Sequence, residues 1–305
     1  MSYTLLQLVD QVSGELGLAQ PSIVIGSNNN QTVQLLALAQ RLGKDLSRDF
    51  EWEYLVKAKI MQTTAAVSTT GTTVSAATTI TSIPSTASLS VGMVISGTGI
   101  PAYAEIVSID SSTQVTMTVP ATASGSAVAL TFAYQDYALP ADFDRMVPDS
   151  NWDRTNHWRN LGPKSSQEWQ FLQGGLISTG PRERYRLYQG KLRIFPALTT
   201  VYNFAFEYVS NYWVVATGGT AATKSAFTAD TDTTVYPDNL LAAGLKYYFL
   251  KAKKLDYGIE LAEYEDALSK AKAQDQPIGK QSLAPLVVEQ FVGPWSIQDG
   301  NWPTS

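Results

Sequence analysis

Four carboxylates crowd one short stretch of the chain, at Asp142, Asp144, Asp149 and Asp153. Polysaccharide hydrolysis needs two such groups on one site, one acting as acid and the other as base or nucleophile. These four sit in a loop-like stretch, where acidic residues ordinarily serve as solvated turn residues. The single histidine, His157, lies near Trp152 and beside Trp158, and no Gly-x-Ser-x-Gly turn occurs anywhere. A Ser-His-Asp triad would have to use His157, and a multi-histidine metal site within one chain is impossible. His157 therefore reads as a packing or hydrogen-bonding residue. Cysteine is absent, which removes disulfides, thiolate catalysis and thiolate metal sites together. No catalytic residue, cofactor site or metal site is expected.

Cationic residues offer a different chemistry. Arg182, Arg184, Arg186 and Arg193 gather in one region of an otherwise acidic chain of net charge −5 and pI near 5.0. Such arginines either pair with acids of their own subunit or give bidentate contacts to carboxylates of a neighbour. Arg184, Arg186 and Arg193 are the candidates for inter-subunit contacts. Lys251, Lys253 and Lys254 cluster near the end of a helical pattern, where the helix dipole favours cations, and read as a solvated terminus. The acidic balance gives no general basic field for nucleic acid.

The elements that hold these residues can be read from periodicity. Tyr185 and Leu187 alternate with arginines up to Gln189-Gly190, and Leu192 and Ile194 alternate after it, the signal of a tight hairpin. Pro196 should stop the second strand, and Tyr202, Phe204, Phe206 and Tyr208 supply a third. The expectation is an antiparallel meander with one aromatic face and one face carrying Arg184, Arg186 and Arg193. Helices are expected over Tyr3 to Leu18, with a Thr4–Gln7 capping box, and over Thr32 to Leu46 on a face of Val33, Leu36, Ala39 or Gln40, and Leu42-Gly43. Phe50, Trp52, Tyr54 and Val56 alternate as a strand would. Ser165 or Ser166 caps a short helix that Gly174-Gly175 ends. The longest helix, Asp238 to Leu255, places Leu241, Leu245, Tyr248, Ala252 and Leu255 on one seam, and a further helix runs from Ile259 to Ala273.

Composition divides the chain. More than a third of residues 63–134 are Ser or Thr, yet Val115, Met117 and Val119, and then Val128, Leu130 and Phe132, alternate as strands of a small sandwich or barrel would. The expected organisation is a body of residues 1–62 and 135–276, an inserted β-module of 63–134, and an extended C-terminal arm of 277–305. That arm carries prolines throughout together with Phe291, Trp295 and Trp302, too many large apolar groups for a free tail, so these three are candidate anchors for docking on a partner or a neighbouring subunit. The expected fold class is α+β: a helical bundle with an antiparallel β-meander and an inserted all-β module. No charged-then-apolar leader opens the sequence and no apolar run approaches the roughly 18 residues of a membrane span, which predicts a soluble chain made in the cytoplasm.

Several pieces in order carry a resemblance. YALPADFDRMV, the Ser-x-x-Glu-Trp of Ser165 to Trp169, YRLYQGKLRIFP, FEYVSNYW and PDNLLAAGLKYYFLKAKKLDY with its following YEDAL are similar to the head-to-tail adaptor proteins of tailed bacteriophages, the tail tubular protein A-like group. The likeness covers roughly Met1 to Lys59 and Tyr137 to Ala273, while residues 63–134 depart from it; the second half of that stretch resembles a β-module that recurs in phage virion proteins. The resemblance implies a non-enzymatic structural protein of the virion neck. It would form a homo-oligomeric ring, dodecameric in the family, between the portal protein and the tail nozzle or tube, with DNA passing through the lumen and no sequence-specific binding. The alternatives are a virion-associated depolymerase resting on the four carboxylates and a polysaccharide- or host-binding module resting on the insert alone.

Overall fold

The computed structural model describes residues 3–174 and 182–275. Its helices are α1 (Leu5–Glu15), α2 (Asn30–Asp49), α3 (Ser166–Gln173), α4 (Asp238–Lys253) and α5 (Gly258–Asp275). Its strands begin with β1 (Val56–Gln62), β2 (Val67–Thr73), β3 (Thr79–Thr81), β4 (Val94–Gly97), β5 (Ala104–Ser111), β6 (Gln114–Met117) and β7 (Gly125–Ala138). They continue as β8 (Phe143–Met146), β9 (Trp152–Asp153), β10 (Trp158–Arg159), β11 (Arg184–Tyr188), β12 (Lys191–Leu198) and β13 (Asn203–Ser210). Three short strands complete the set, β14 (Val214–Val215), β15 (Ala222–Lys224) and β16 (Thr233–Thr234). The chain divides into two compact units, whose described residues are 3–58, 141–147 and 207–275 in the first and 59–140, 148–174 and 182–206 in the second.

In the first unit α1, α2, α4 and α5 share a core with the three-stranded β15-β14-β16 sheet. The capping box forms as the sequence predicts: Gln7 N–H donates to Thr4 Oγ1 at 3.3 Å and the Thr4 N–H to Gln7 Oε1 at 3.0 Å. Helix α2 starts under the Asn29 cap and runs on to Asp49, with Leu35, Ala39, Leu42 and Leu46 buried and Val33 exposed. Of the expected face, Val33 is exposed and Leu36 half-buried, while Ala39, Leu42 and Gly43 are buried. A Cβ on Gly43 would lie 2.3 Å from the Trp213 ring, so this bare backbone is where Trp213 packs. Phe50 to Tyr54 is not a strand. Trp52 is fully buried with its indole N–H on the Leu46 carbonyl at 2.8 Å, residues Glu53–Leu55 make one 3-10 turn, and β1 begins only at Val56. Along α4 the seam is buried at Leu241 and Leu245, half-buried at Tyr248, and exposed from Ala252 onward.

The second unit holds a closed six-stranded barrel, in the order β7-β2-β3-β6-β5-β4 and back to β7. Closure falls to β7, which pairs with β2 from Val67↔Phe132 to Thr73↔Gly125 and with β4 from Val94↔Ala133 to Gly97↔Leu130. Ile80, Ile95, Ile106, Val115, Leu130 and Phe132 fill the interior. Gly71 occupies an inward position of β2, where a Cβ would sit 2.7 Å from Ile80 and 2.8 Å from Leu130. The small bore leaves no room for two side chains there. Past the barrel β7 continues and pairs through Tyr137↔Leu192 with β12, whose other neighbour is β11.

The expected helical bundle with a β-meander is therefore overturned. The described chain is mostly β and includes a closed six-stranded barrel, with five helices against sixteen strands. Two physical features account for it. The Ser/Thr-rich stretch has enough Ile, Val, Met and Leu at alternate positions to build a core of its own. The meander fails because the 14-residue β7 takes the free edge of β12, so β13 goes to β9 through Phe204↔Asp153 and to β8 through Tyr208↔Met146 instead. Nor does Pro196 end its strand: β12 runs to Leu198 with a register shift between Arg193 and Leu198, the kind of irregularity at which a missing N–H is tolerated. Phe291, Trp295 and Trp302 of the expected arm lie outside the described residues.

Candidate functional site

The hairpin of β11 and β12 positions the arginines. Gln189 and Gly190 at its tip have φ of 49° and 70°, the two left-handed residues of a tight turn that matches strand twist. That turn sets the register Arg186↔Arg193, and β12 against β7 adds Arg193↔Asp136. Directly opposed residues of neighbouring strands share a face. Arg186, Arg193 and Asp136 thus form one row across three strands.

Arg193 takes the acids of this row. Its Nε and Nη2 donate to the two Asp136 carboxylate oxygens at 2.6 Å each, and its Nη1 lies 3.6 Å from Glu105 Oε1. Burial alone would lower its pKa, but the bidentate bond and the charges of Asp136 and Glu105 outweigh it and raise the pKa. Arg186 stands opposite with a like charge, and the Tyr188 ring lies against both guanidinium groups. The Arg186 guanidinium carbon lies 4.3 Å from the Tyr188 ring centre and 4.5 Å from that of Trp169, while Arg193 is 4.8 Å from the Tyr188 ring. Trp169 comes from α3, whose Ser165–Glu168 capping box forms as its sequence predicts, and it packs edge-on against Phe195. The result is a ladder of Trp169, Arg186, Tyr188, Arg193 and Asp136. Burial, then repulsion from Arg193, lowers the pKa of Arg186. Arg184 is half-buried and donates to the Arg182 carbonyl at 3.4 Å.

Each of the four candidate carboxylates is engaged by partners of its own. Asp142 accepts from Lys57 Nζ at 2.7 Å, Tyr208 Oη at 2.9 Å and Ser210 Oγ at 2.7 Å. Burial opposes its ionisation, yet these bonds prevail and hold its pKa below the ordinary carboxylate value. Asp144 pairs with Arg145 and Asp149 with Arg159, both at 2.9 Å. Asp153 is buried and accepts from the backbone of Thr155 and Asn156, an Asx turn joining β9 to β10. His157 lies exposed on that turn with φ of 61°, so of the packing or hydrogen-bonding role read for it, packing does not hold. In the first unit a groove of about 380 Å³ runs between α1, α4 and α5. Lys246 bridges Glu15 at 2.7 Å and Glu263 at 3.3 Å within it. Among the described residues there is no group of three or more His, Cys, Asp or Glu able to hold a metal ion, and no helix is long and apolar enough to cross a membrane.

Sequence reasoning found the three arginines but missed Trp169, Tyr188, Asp136 and Glu105, which surround Arg186 and Arg193. The like-charge pair was legible from the turn, which fixes which residues face each other. Asp136 was not, because it arrives from a strand 57 residues away.

A family model described as SU10 adaptor protein matches residues 102–288, more than half of the chain. The matched range includes the ladder, α3, α4 and α5, and begins within the barrel. No curated protein matches the chain.

Proposed function

This chain belongs to the SU10 adaptor protein family, a family of phage adaptors, and on that premise we propose that it is a head-to-tail adaptor of the virion neck, related to the tail tubular protein A-like group. In this reading copies of the chain form a ring, dodecameric as the resemblance implies, between the portal protein and the tail nozzle or tube, and the genome passes through its lumen without sequence-specific contacts. The family match across residues 102–288 is the observation that carries the proposal. The commitment of Asp142, Asp144, Asp149 and Asp153 to partners of their own supports a role that is structural rather than enzymatic. No observation favours the depolymerase or the polysaccharide-binding alternative.

Docking on portal or on a neighbouring copy is assigned to the C-terminal arm, with Phe291, Trp295 and Trp302 as anchors, since buried aromatics commonly dominate interface energetics. Of the three arginines proposed for inter-subunit contacts, Arg193 already holds two acids of its own chain, which leaves Arg184 and Arg186 the better donors to a neighbour. Truncation after Gln276 tests the docking role. The shortened protein is expected to remain folded and to lose co-sedimentation with portal protein; equal co-sedimentation of both forms would refute it.

A further inference from the structure

The groove of the first unit opens where the described chain stops. Helix α4 lines it with Leu240, which is buried, and Ala243, half-buried, while α5 adds Ala267, Ala271 and Gln274. Gln274 lies next to Asp275, the last residue of α5, so the chain continues from the mouth of this groove. At the far end Lys246 joins Glu15 of α1 to Glu263 of α5, and along the wall Lys270 pairs with Asp266. The charges of the groove are thus matched among themselves. Asn239 and Gln274 line it as exposed residues, and their side-chain amides make no hydrogen bond among the described residues. An apolar floor with open amides at its rim suits an uncharged extended peptide, whose side chains fill the floor and whose backbone groups pair with the amides.

We propose that this groove seats the near half of the chain's own C-terminal arm, residues 280–288, folded back along α5. Gln276-Pro277-Ile278-Gly279 follows the helix at once, with Pro and Gly at the second and fourth positions that a type I turn favours. Such a turn reverses the chain toward Lys246. Leu283-Ala284-Pro285-Leu286-Val287-Val288 comes next, a stretch without a charge in which Pro285 favours the extended form. From Glu263 to Gln274 α5 rises about 17 Å, the length that roughly five extended residues cover. The family match also runs past α5 and ends at residue 288, so it includes this stretch and stops short of Phe291, Trp295 and Trp302. The seat does not depend on the docking role assigned above to those three residues. It fixes the point from which they set out, which lowers the cost of ordering them on a partner.

The chain has no cysteine, so a disulfide introduced into the full-length protein reports the seat without a competing thiol. Ala243→Cys combined with Leu286→Cys is expected to close within one chain under mild oxidation, at a rate unchanged by dilution. That rate should exceed by roughly tenfold the rate for Ala243→Cys combined with Trp302→Cys, whose second position lies beyond the seat. Non-reducing gels and mass spectrometry read both. Equal rates for the two pairs overturn the proposal. A disulfide between chains, formed when Ala243→Cys protein is mixed with Leu286→Cys protein, overturns it too and gives the groove to the arm of a second copy. Trypsin supplies another readout at Lys280. Ala243→Trp fills the groove and should speed cleavage there by roughly tenfold, and an unchanged rate in the folded variant counts against the seat. Where Ala243→Trp fails to fold, the disulfide pairs still decide. Loss of portal co-sedimentation on truncation, with no fast disulfide, removes the seat and keeps the docking role; a fast disulfide with co-sedimentation unchanged does the reverse.

Discussion

Replacement of Asp142 by alanine removes the acceptor for three donors at once. Ser210 is fully buried and Tyr208 nearly so, and each donates its hydroxyl to this carboxylate. A buried donor deprived of its partner costs about 1–3 kcal/mol. The Lys57 side chain is 34% exposed, so its 2.7 Å ion pair adds little through solvent screening. Taking the lower half of the range for hydroxyls that can rotate, the expected loss is about 3 kcal/mol. Asp142→Asn, which keeps one oxygen acceptor, should cost about half as much. Urea unfolding read by tryptophan fluorescence measures both, since Trp52 and Trp213 are buried in the same unit. The pH dependence adds a sign. Asp142 has a lowered folded-state pKa, so its contribution is present above the unfolded carboxylate value near 3.9 and is lost as pH falls through the lower folded one. The alanine variant should therefore lose part of the wild-type acid limb. A destabilisation under about 1 kcal/mol, with the acid limb intact, would refute the assignment of Asp142 as a buried hub.

Glu183 should behave oppositely, because burial raises its pKa while it accepts the Trp158 indole N–H at 3.0 Å. Its contribution is present below the unfolded value near 4.3 and lost as pH rises through the folded one, so Glu183→Gln should raise the unfolding midpoint at pH 7 and leave it unchanged at pH 3. Phe132→Ala empties the barrel interior and should cost about 3–5 kcal/mol in denaturant titration. Gly190→Ala meets no neighbouring atom, so its cost of about 1–2 kcal/mol is that of holding alanine at φ of 70°, and Gly190→Asn should recover most of it.

What was legible in the sequence was local. The Thr4–Gln7 and Ser165–Glu168 boxes join residues three apart, and the Gln189-Gly190 turn needs only its own backbone. Alternation in Val115 and Met117, and in Leu130 and Phe132, reported the barrel strands because a small barrel has one apolar face. Pairing partners were not legible. Nothing near Arg193 announced Asp136, and nothing near Pro196 announced that β7 would take the edge of β12. What covers Gly43 on α2 was not legible either, since Trp213 reaches its bare backbone across 170 residues of chain. Asp142 read as a solvated turn residue because its donors, Lys57, Tyr208 and Ser210, lie far from it in sequence. Helical periodicity in α1, α2, α4 and α5 was read correctly as helix and wrongly as the dominant architecture, since the same faces pack on Trp213, Val214 and Tyr236 as well as on one another.

Mass measurement of the full-length protein, alone and mixed with portal protein, tests the head-to-tail adaptor reading most directly. A closed assembly of fixed copy number that joins the portal is the expected result. A chain that stays monomeric both alone and with portal, at concentrations where the fold is intact, would contradict it.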